Sequence, residues 1–124
     1  LPGMVERTLD GGFFVIEHVA SKMLVSSGQA WRGSTMPRHP DAGQMGWLVT
    51  DPSHAGRGLG TVVAACATNR LAEEGYRRPC LGTEDFRVAA IAIYLKLGWV
   101  PYVYREDLVP RWRAVFARLG ISRE

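Results

Sequence analysis

The stretch Asp51–Tyr76, DPSHAGRGLGTVVAACATNRLAEEGY, packs Gly56, Gly58 and Gly60 into five residues and then runs to Gly75 without another glycine or proline. Past the glycines, Val62, Val63, Cys66, Ala67 and Leu71 recur at helical spacing, which predicts a helix over Leu59–Glu74 stopped by Gly75. Before them, QMGWLVT, Gln44–Thr50, reads as a short strand ended by Asp51-Pro52. Strand, turn and helix start in that order is the arrangement an anion site requires. The first N–H groups of a helix have no intrahelical acceptor, and the helix dipole favours an anion there by about 0.3–1 kcal/mol. Glycines remove the Cβ atoms that would hold a diphosphate off the backbone, and Arg57 adds a mobile positive charge. Taken alone, the same glycines serve equally as a tight strand-to-helix connection. Neither common nucleotide motif fits. Thr61-Val62 replaces the Lys-Ser/Thr pair of a P-loop, and the glycine spacing is not G-x-G-x-x-G.

Working outward, GFFVIEHVASKMLVSSGQAW holds two β-rich runs, Phe13–Glu17 and Met23–Ala30, that predict a hairpin. Arg32–Gly43, dense in Pro and Gly, is a loop. RPCLGTED is expected as a strand, RVAAIAIYLKLG as a second helix closed by Gly98, and WVPYVYRE as a further strand. In the last segment Leu108, Trp112, Val115, Phe116 and Leu119 form one apolar helical stripe. The order β-β-β-α-β-α-β-α predicts an α/β chain with a mixed sheet (α+β), expected as a single domain over residues 1–124.

Composition narrows the function classes. Lys and Arg exceed Asp and Glu by 15 − 12 = 3, a mild basic excess that suits an anionic small ligand and is too weak to indicate nucleic acid. Arg105, Arg111, Arg113, Arg118 and Arg123 are read as the solvated face around the last apolar stripe. No apolar run approaches the ~18 residues of a membrane span, and no signal-peptide pattern is seen. Cys66 and Cys80 lack C-x-x-C spacing and are expected as buried reduced thiols, hence a cytoplasmic location. His18, His39 and His54 are scattered, so no metal site is expected.

A second segment bears on the first. TEDFRVAAIAIYLKLGWVP, Thr83–Pro101, places Tyr94 near the end of a short helix before Lys96 and Leu97-Gly98-Trp99. With GQMGWLVTDPSHAGRGLG, this resembles the Gcn5-related N-acetyltransferase (GNAT) superfamily, whose two hallmarks are an R/Q-x-x-G-x-G/A turn and a later N-x-x-A-I-x-L-Y-x-x-L-G-F helix. The resemblance spans roughly Gln44–Tyr104, about half the chain, in the right order. It implies a GNAT-like acyl-CoA N-acyltransferase fold, shortened at the N-terminus because only Leu1–Gly12 precede the first clear strand. It also implies acetyl transfer from acetyl-CoA to a primary amine, on a small molecule or a peptide, by direct attack on the thioester. The strand backbone at Leu48, Val49 and Thr50 would then pair with the pantetheine arm. The amides of Gly56, Arg57, Gly58, Leu59, Gly60 and Thr61 would hold the pyrophosphate, and Tyr94 would protonate the departing thiolate. A thiol with a pKa of roughly 8.5 and a phenol near 10 allow that transfer at neutral pH.

The departures are specific. Ala55 stands at the R/Q position, with His54 and Arg57 flanking the gap. Arg87 stands where many members carry a cofactor-contacting Asn; it has no acceptor, but it can reach a phosphate or anchor the helix start against Glu84 or Asp85. Gln44 and Gly82 occupy two positions where an acid would be useful, leaving Glu84, Asp85, Asp51, Glu17 and His18, or a water relay, as ways to take the amine proton. The alternative to an enzyme is a degenerate member that binds an acyl-CoA or a partner without catalysis. Missing edge elements lead to the expectation of a homodimer.

Overall fold

A computed structural model describes residues 7–36 and 38–121. The chain divides into two compact units, one ending at Gly82 and one beginning at Thr83.

The first unit is a four-stranded sheet covered by one helix. Strands β1 (Thr8–His18), β2 (Met23–Trp31), β3 (Gln44–Thr50) and β4 (Cys80–Leu81) lie side by side in chain order. The first three are antiparallel neighbours, and β4 joins β3 in parallel, so the sheet is mixed as expected. Helix α1 (Leu59–Glu74) has the predicted bounds. Its Val63, Ala64, Ala67 and Leu71 are buried, and it packs on β1, β2 and β3. Leu71 and Val63 are the largest fully buried side chains, each worth about 1.5–3 kcal/mol in water-removed surface. Arg70 fastens the helix to the first strand by donating from Nε to the Asp10 carbonyl, 2.9 Å. The helix ends where Gly75 turns left-handed, with the Gly75 and Tyr76 N–H groups donating to the Ala72 and Leu71 carbonyls.

The hairpin is longer than its sequence pattern suggests. The expected strand starts at Phe13, yet β1 continues through Gly12 and Gly11 to Thr8 by a register shift between Thr8 and Phe13, with Gly11 at φ +65°. Between β2 and β3 the buried Trp31 ring lies over Gly46, where an added Cβ would stand 2.5 Å from the ring. The Trp31 indole N–H donates to Gln29 Oε1 at 2.6 Å, which fixes the ring in that place. The loop from Arg32 to Gly43 is tied down by buried Gln44, whose Oε1 accepts from the Thr35 N–H (2.8 Å) and hydroxyl (3.1 Å).

The second unit holds helices α2 (Val88–Lys96) and α3 (Leu108–Leu119), which pack against each other. Ile91 and Tyr94 of α2 and Val115 of α3 are buried, and the Trp112 and Phe116 rings meet at 5.8 Å. Arg111, Arg113 and Arg118 are exposed, as an amphipathic helix requires. The strand expected at WVPYVYRE does not form. A strand needs a ladder neighbour on every other N–H, and Pro101 has none to offer while restricting Val100 before it. Val100 is 80% exposed, and the alternating Tyr102 and Tyr104 rings contact each other at 5.2 Å instead. The strand expected over RPCLGTED likewise shrinks to Cys80–Leu81.

Among the described residues no helix is long and apolar enough to cross a membrane, and no group of three or more His, Cys, Asp or Glu side chains is placed to hold a metal ion. Cys66 and Cys80 are free thiols, half-buried rather than buried. Cys80 Sγ lies 3.1 Å from Ser34 Oγ, so it is used in holding the loop.

Candidate functional site

The glycine turn and the helix it opens make one continuous structure. After β3, Asp51 caps a single 3-10 turn, Pro52–His54, by accepting the Ser53 N–H at 3.1 Å. That hydrogen bond, with help from His54, holds the Asp51 carboxyl below its usual range. Gly56 and Gly58 follow at φ +80° and +78°, a conformation that side-chain-bearing residues adopt at a cost of roughly 1–2 kcal/mol. A Cβ on either would meet nothing within 4 Å. Backbone conformation therefore explains why glycine is needed there, and the surrounding space is open as well.

Gly58 is the N-cap of α1 and supplies no side-chain hydrogen bond. The Val62 N–H reaches the Gly58 carbonyl at 3.2 Å, so the amides of Leu59, Gly60 and Thr61 precede the intrahelical ladder. No acidic residue sits in the first turn, and the helix runs 16 residues. A long helix with an uncapped, acid-free N-terminus in open space suits an anion. Arg57 is exposed beside it.

The strand leading into this turn has a half-paired edge. The parallel ladder joins Gln44 to Cys80 and Met45 to Leu81, and from Gly46 onward no β4 residue pairs with β3. On the other side β2 pairs with Val49 and Thr50 through Ser27 and Ser26. The Ser26 hydroxyl donates to the Val49 carbonyl (3.1 Å) and lies 2.9 Å from Thr50 Oγ1, so the Thr50 side chain is turned to β2. Leu48 is buried and Val49 is 55% exposed. Thus Leu48, Val49, Thr50 and Gly56 through Thr61 are brought together in one unit, by one strand and one helix start.

Arg87 and Tyr94 belong to the second unit. Arg87 is the N-cap of α2 and Tyr94 lies two turns along, on the same face. Tyr94 is 6% exposed. Burial pushes its phenol above the ordinary value of 10.0, and the Arg87 charge pulls the other way. The proton is therefore held firmly at neutral pH. Asp85 pairs with Arg111, whose Nε donates to Oδ2 at 3.0 Å.

Two features were not legible in the residue order. In the second unit a cavity of about 70 Å³ is lined by Thr83, Ile91, Leu108, Trp112 and Val115, with the Asp85–Arg111 pair on its wall. The buried Thr83 Oγ1 has no hydrogen-bond partner among the described residues. In the first unit the His18 and His54 rings approach to 5.1 Å between centroids. No motif links residues 36 positions apart; only the strand order does.

The FR47-like protein family matches residues 30–107, more than half of the chain, taking in β3, the glycine turn, α1 and α2. Over 71 residues, 57% of this chain, the sequence is 32% identical to mycothiol acetyltransferase of Nocardia farcinica (strain IFM 10152), of which that stretch spans 23%. The fold is similar to a GCN5-related N-acetyltransferase from Ralstonia eutropha JMP134 at 26% identity, with a TM-score of 0.58 over 78% of this chain and 65% of that one. It also resembles yncA from Salmonella typhimurium, whose structure holds its cofactor acetyl-CoA, at 17% identity and a TM-score of 0.53 over 63% and 44% of the two chains. The half-paired strand, the open glycine turn and the tyrosine-bearing helix thus occur in a chain that belongs to the FR47-like family of the GNAT superfamily of acetyltransferases.

Proposed function

We propose that the chain binds acetyl-CoA along β3 and the start of α1 and directs its acetyl group to a primary amine. The observation that carries this reading is the uncapped, acid-free N-terminus of α1, opened by left-handed Gly56 and Gly58 and fed by a strand whose edge β4 leaves after Met45. When bound, acetyl-CoA supplies an activated acetyl thioester. The amides from Gly56 to Thr61, with Arg57, would hold its diphosphate, and the β3 backbone at Leu48–Thr50 would align the pantetheine arm. Arg87 would add a phosphate contact. Tyr94, kept protonated by burial, would give its proton to the departing thiolate. An amine with a lysine-like pKa of about 10.4 must lose a proton before attack. Asp51 and Asp85 are committed to a cap and an ion pair, which leaves Glu84, Glu17, His18 or a water relay to take that proton.

Those commitments also support a second reading, acyl-CoA binding without turnover. Calorimetric titration of the folded chain with acetyl-CoA tests what both share, with Gly58→Glu as the companion. Micromolar binding by the parent and none by the variant is the expected result; a folded parent that binds no acetyl-CoA overturns both. Turnover with simple primary amines then separates the two readings, since the second allows none.

A further inference from the structure

We propose that His18 and His54 form a proton-dependent anion contact at the phosphate end of the cofactor site, so that acetyl-CoA binding takes up protons on this pair. The inference rests on the acetyl-CoA reading above and adds a regulation to it.

Topology brings the two rings together. β1 and β3 are both antiparallel to β2, so their C-terminal ends lie at the same end of the sheet. β1 ends on His18, and β3 leads through Asp51 into the 3-10 turn that carries His54. The ring centroids are 5.1 Å apart with the planes tilted by 59°. Only Ala55, Gly56 and Arg57 separate His54 from the N-cap Gly58, a span of at most about 14 Å even if fully extended. His54 is thus tethered to the α1 N-cap by three residues, and His18 lies beside its ring.

Both rings are oriented by the same device. His18 Nδ1 is 2.7 Å from Ser21 Oγ; His54 Nδ1 is 3.1 Å from Ser53 Oγ and 3.7 Å from Asp51 Oδ2. With each Nδ1 engaged, each Nε2 remains as the ring atom for an outside ligand. Neutral imidazoles tolerate this approach, whereas two imidazolium rings at such a distance repel each other. A phosphate at the Nε2 atoms removes that repulsion, so the ligand and the protons bind together.

The charged surroundings fit. Asp51 is the acid in contact with His54. Glu17 precedes His18, Lys22 closes the hairpin turn by donating its N–H to the His18 carbonyl, and Arg57 follows in the glycine turn. β2 and β3 carry no charged residue, and the first turn of α1 has no acid. The two acids and two cations named here balance, and a bound phosphate would add negative charge beside the pair.

Linkage fixes the sign. If the complex holds more protons than the free protein, affinity must rise as pH falls through the imidazole range, about pH 8 to 5. The experiment is calorimetric titration of acetyl-CoA into the full chain at pH 6.5 and 8.0, in two buffers of different ionisation enthalpy. The same titration is run on His18→Gln, His54→Gln and, as a control, His39→Gln. The parent should take up protons at pH 6.5 and bind about three- to tenfold more tightly there than at pH 8.0. Each pair variant should lose most of the uptake and of the pH dependence, while His39→Gln keeps both. Because the ligand's own phosphate titration is common to all four proteins, the difference belongs to the pair. Binding without proton uptake, or uptake unchanged in both pair variants, overturns this inference and leaves the acetyl-CoA reading standing. No binding at either pH by a folded parent overturns both.

Discussion

The two units carry their candidate residues in opposite ways. In the sheet unit the candidate site is backbone: amides at the start of α1, the edge of β3, and glycines in left-handed conformation. In the helical unit it is side chain: the buried phenol of Tyr94, the Arg87 charge, and a cavity lined by Thr83, whose hydroxyl has no partner among the described residues. A backbone site needs the right conformation and little else, so it shows in a short residue pattern. A side-chain site depends on what surrounds each group, which no local pattern specifies.

Substitutions can break this contrast. The largest effect is expected at Gly58→Glu, where a carboxylate replaces open space before the α1 amides. Acetyl-CoA affinity should fall by at least about 100-fold, or ~2.7 kcal/mol. Thermal melting should show only the roughly 1–2 kcal/mol penalty of a left-handed side-chain-bearing residue. If Gly58→Ala, which brings strain and no charge, loses as much binding, the site depends on turn shape rather than on anion-accepting amides. Tyr94→Phe is the counterpart in the other unit. Its acetyl transfer rate should drop by about 100-fold, the lower range for removing a general acid, with acetyl-CoA affinity changed less than about twofold. Steady-state kinetics beside calorimetry would show the split, and a fall in affinity alone would make Tyr94 a packing residue.

Smaller effects sharpen the picture. Gly46→Ala drives a Cβ into the Trp31 ring, which its bond to Gln29 holds in place, and should cost about 1–3 kcal/mol in urea unfolding. Burial raises the Tyr94 pKa above 10.0, so the folded state holds that proton more tightly than the unfolded chain does. Its contribution is full below pH ~10 and is lost as pH rises through the higher folded value. Tyr94→Phe should flatten the alkaline limb of a stability–pH curve. The smallest effect belongs to Asp85→Asn: its pair with Arg111 is about half exposed, so stability should change by less than about 1 kcal/mol.

Much of the fold follows from local rules. The α1 bounds, the Gln44–Thr50 strand and the glycine stops come from side-chain periodicity and from the steric freedom of glycine, properties of neighbouring residues. Where pairing partners decide, the residue order misleads. Gly11-Gly12 became a bulge inside β1 because β2 continued to pair across it. WVPYVYRE has strand-like residues, but Pro101 and the lack of a ladder neighbour leave it irregular. The glycine turn, the strand before it and the tyrosine helix were therefore legible in the sequence by itself, since each depends on contacts within a few residues. The end of the β3–β4 ladder, the burial of Tyr94 and the meeting of His18 with His54 belong to the tertiary structure alone. Each depends on segments distant in the chain being brought together, and free energies of that kind are set by packing rather than by any one residue's preference.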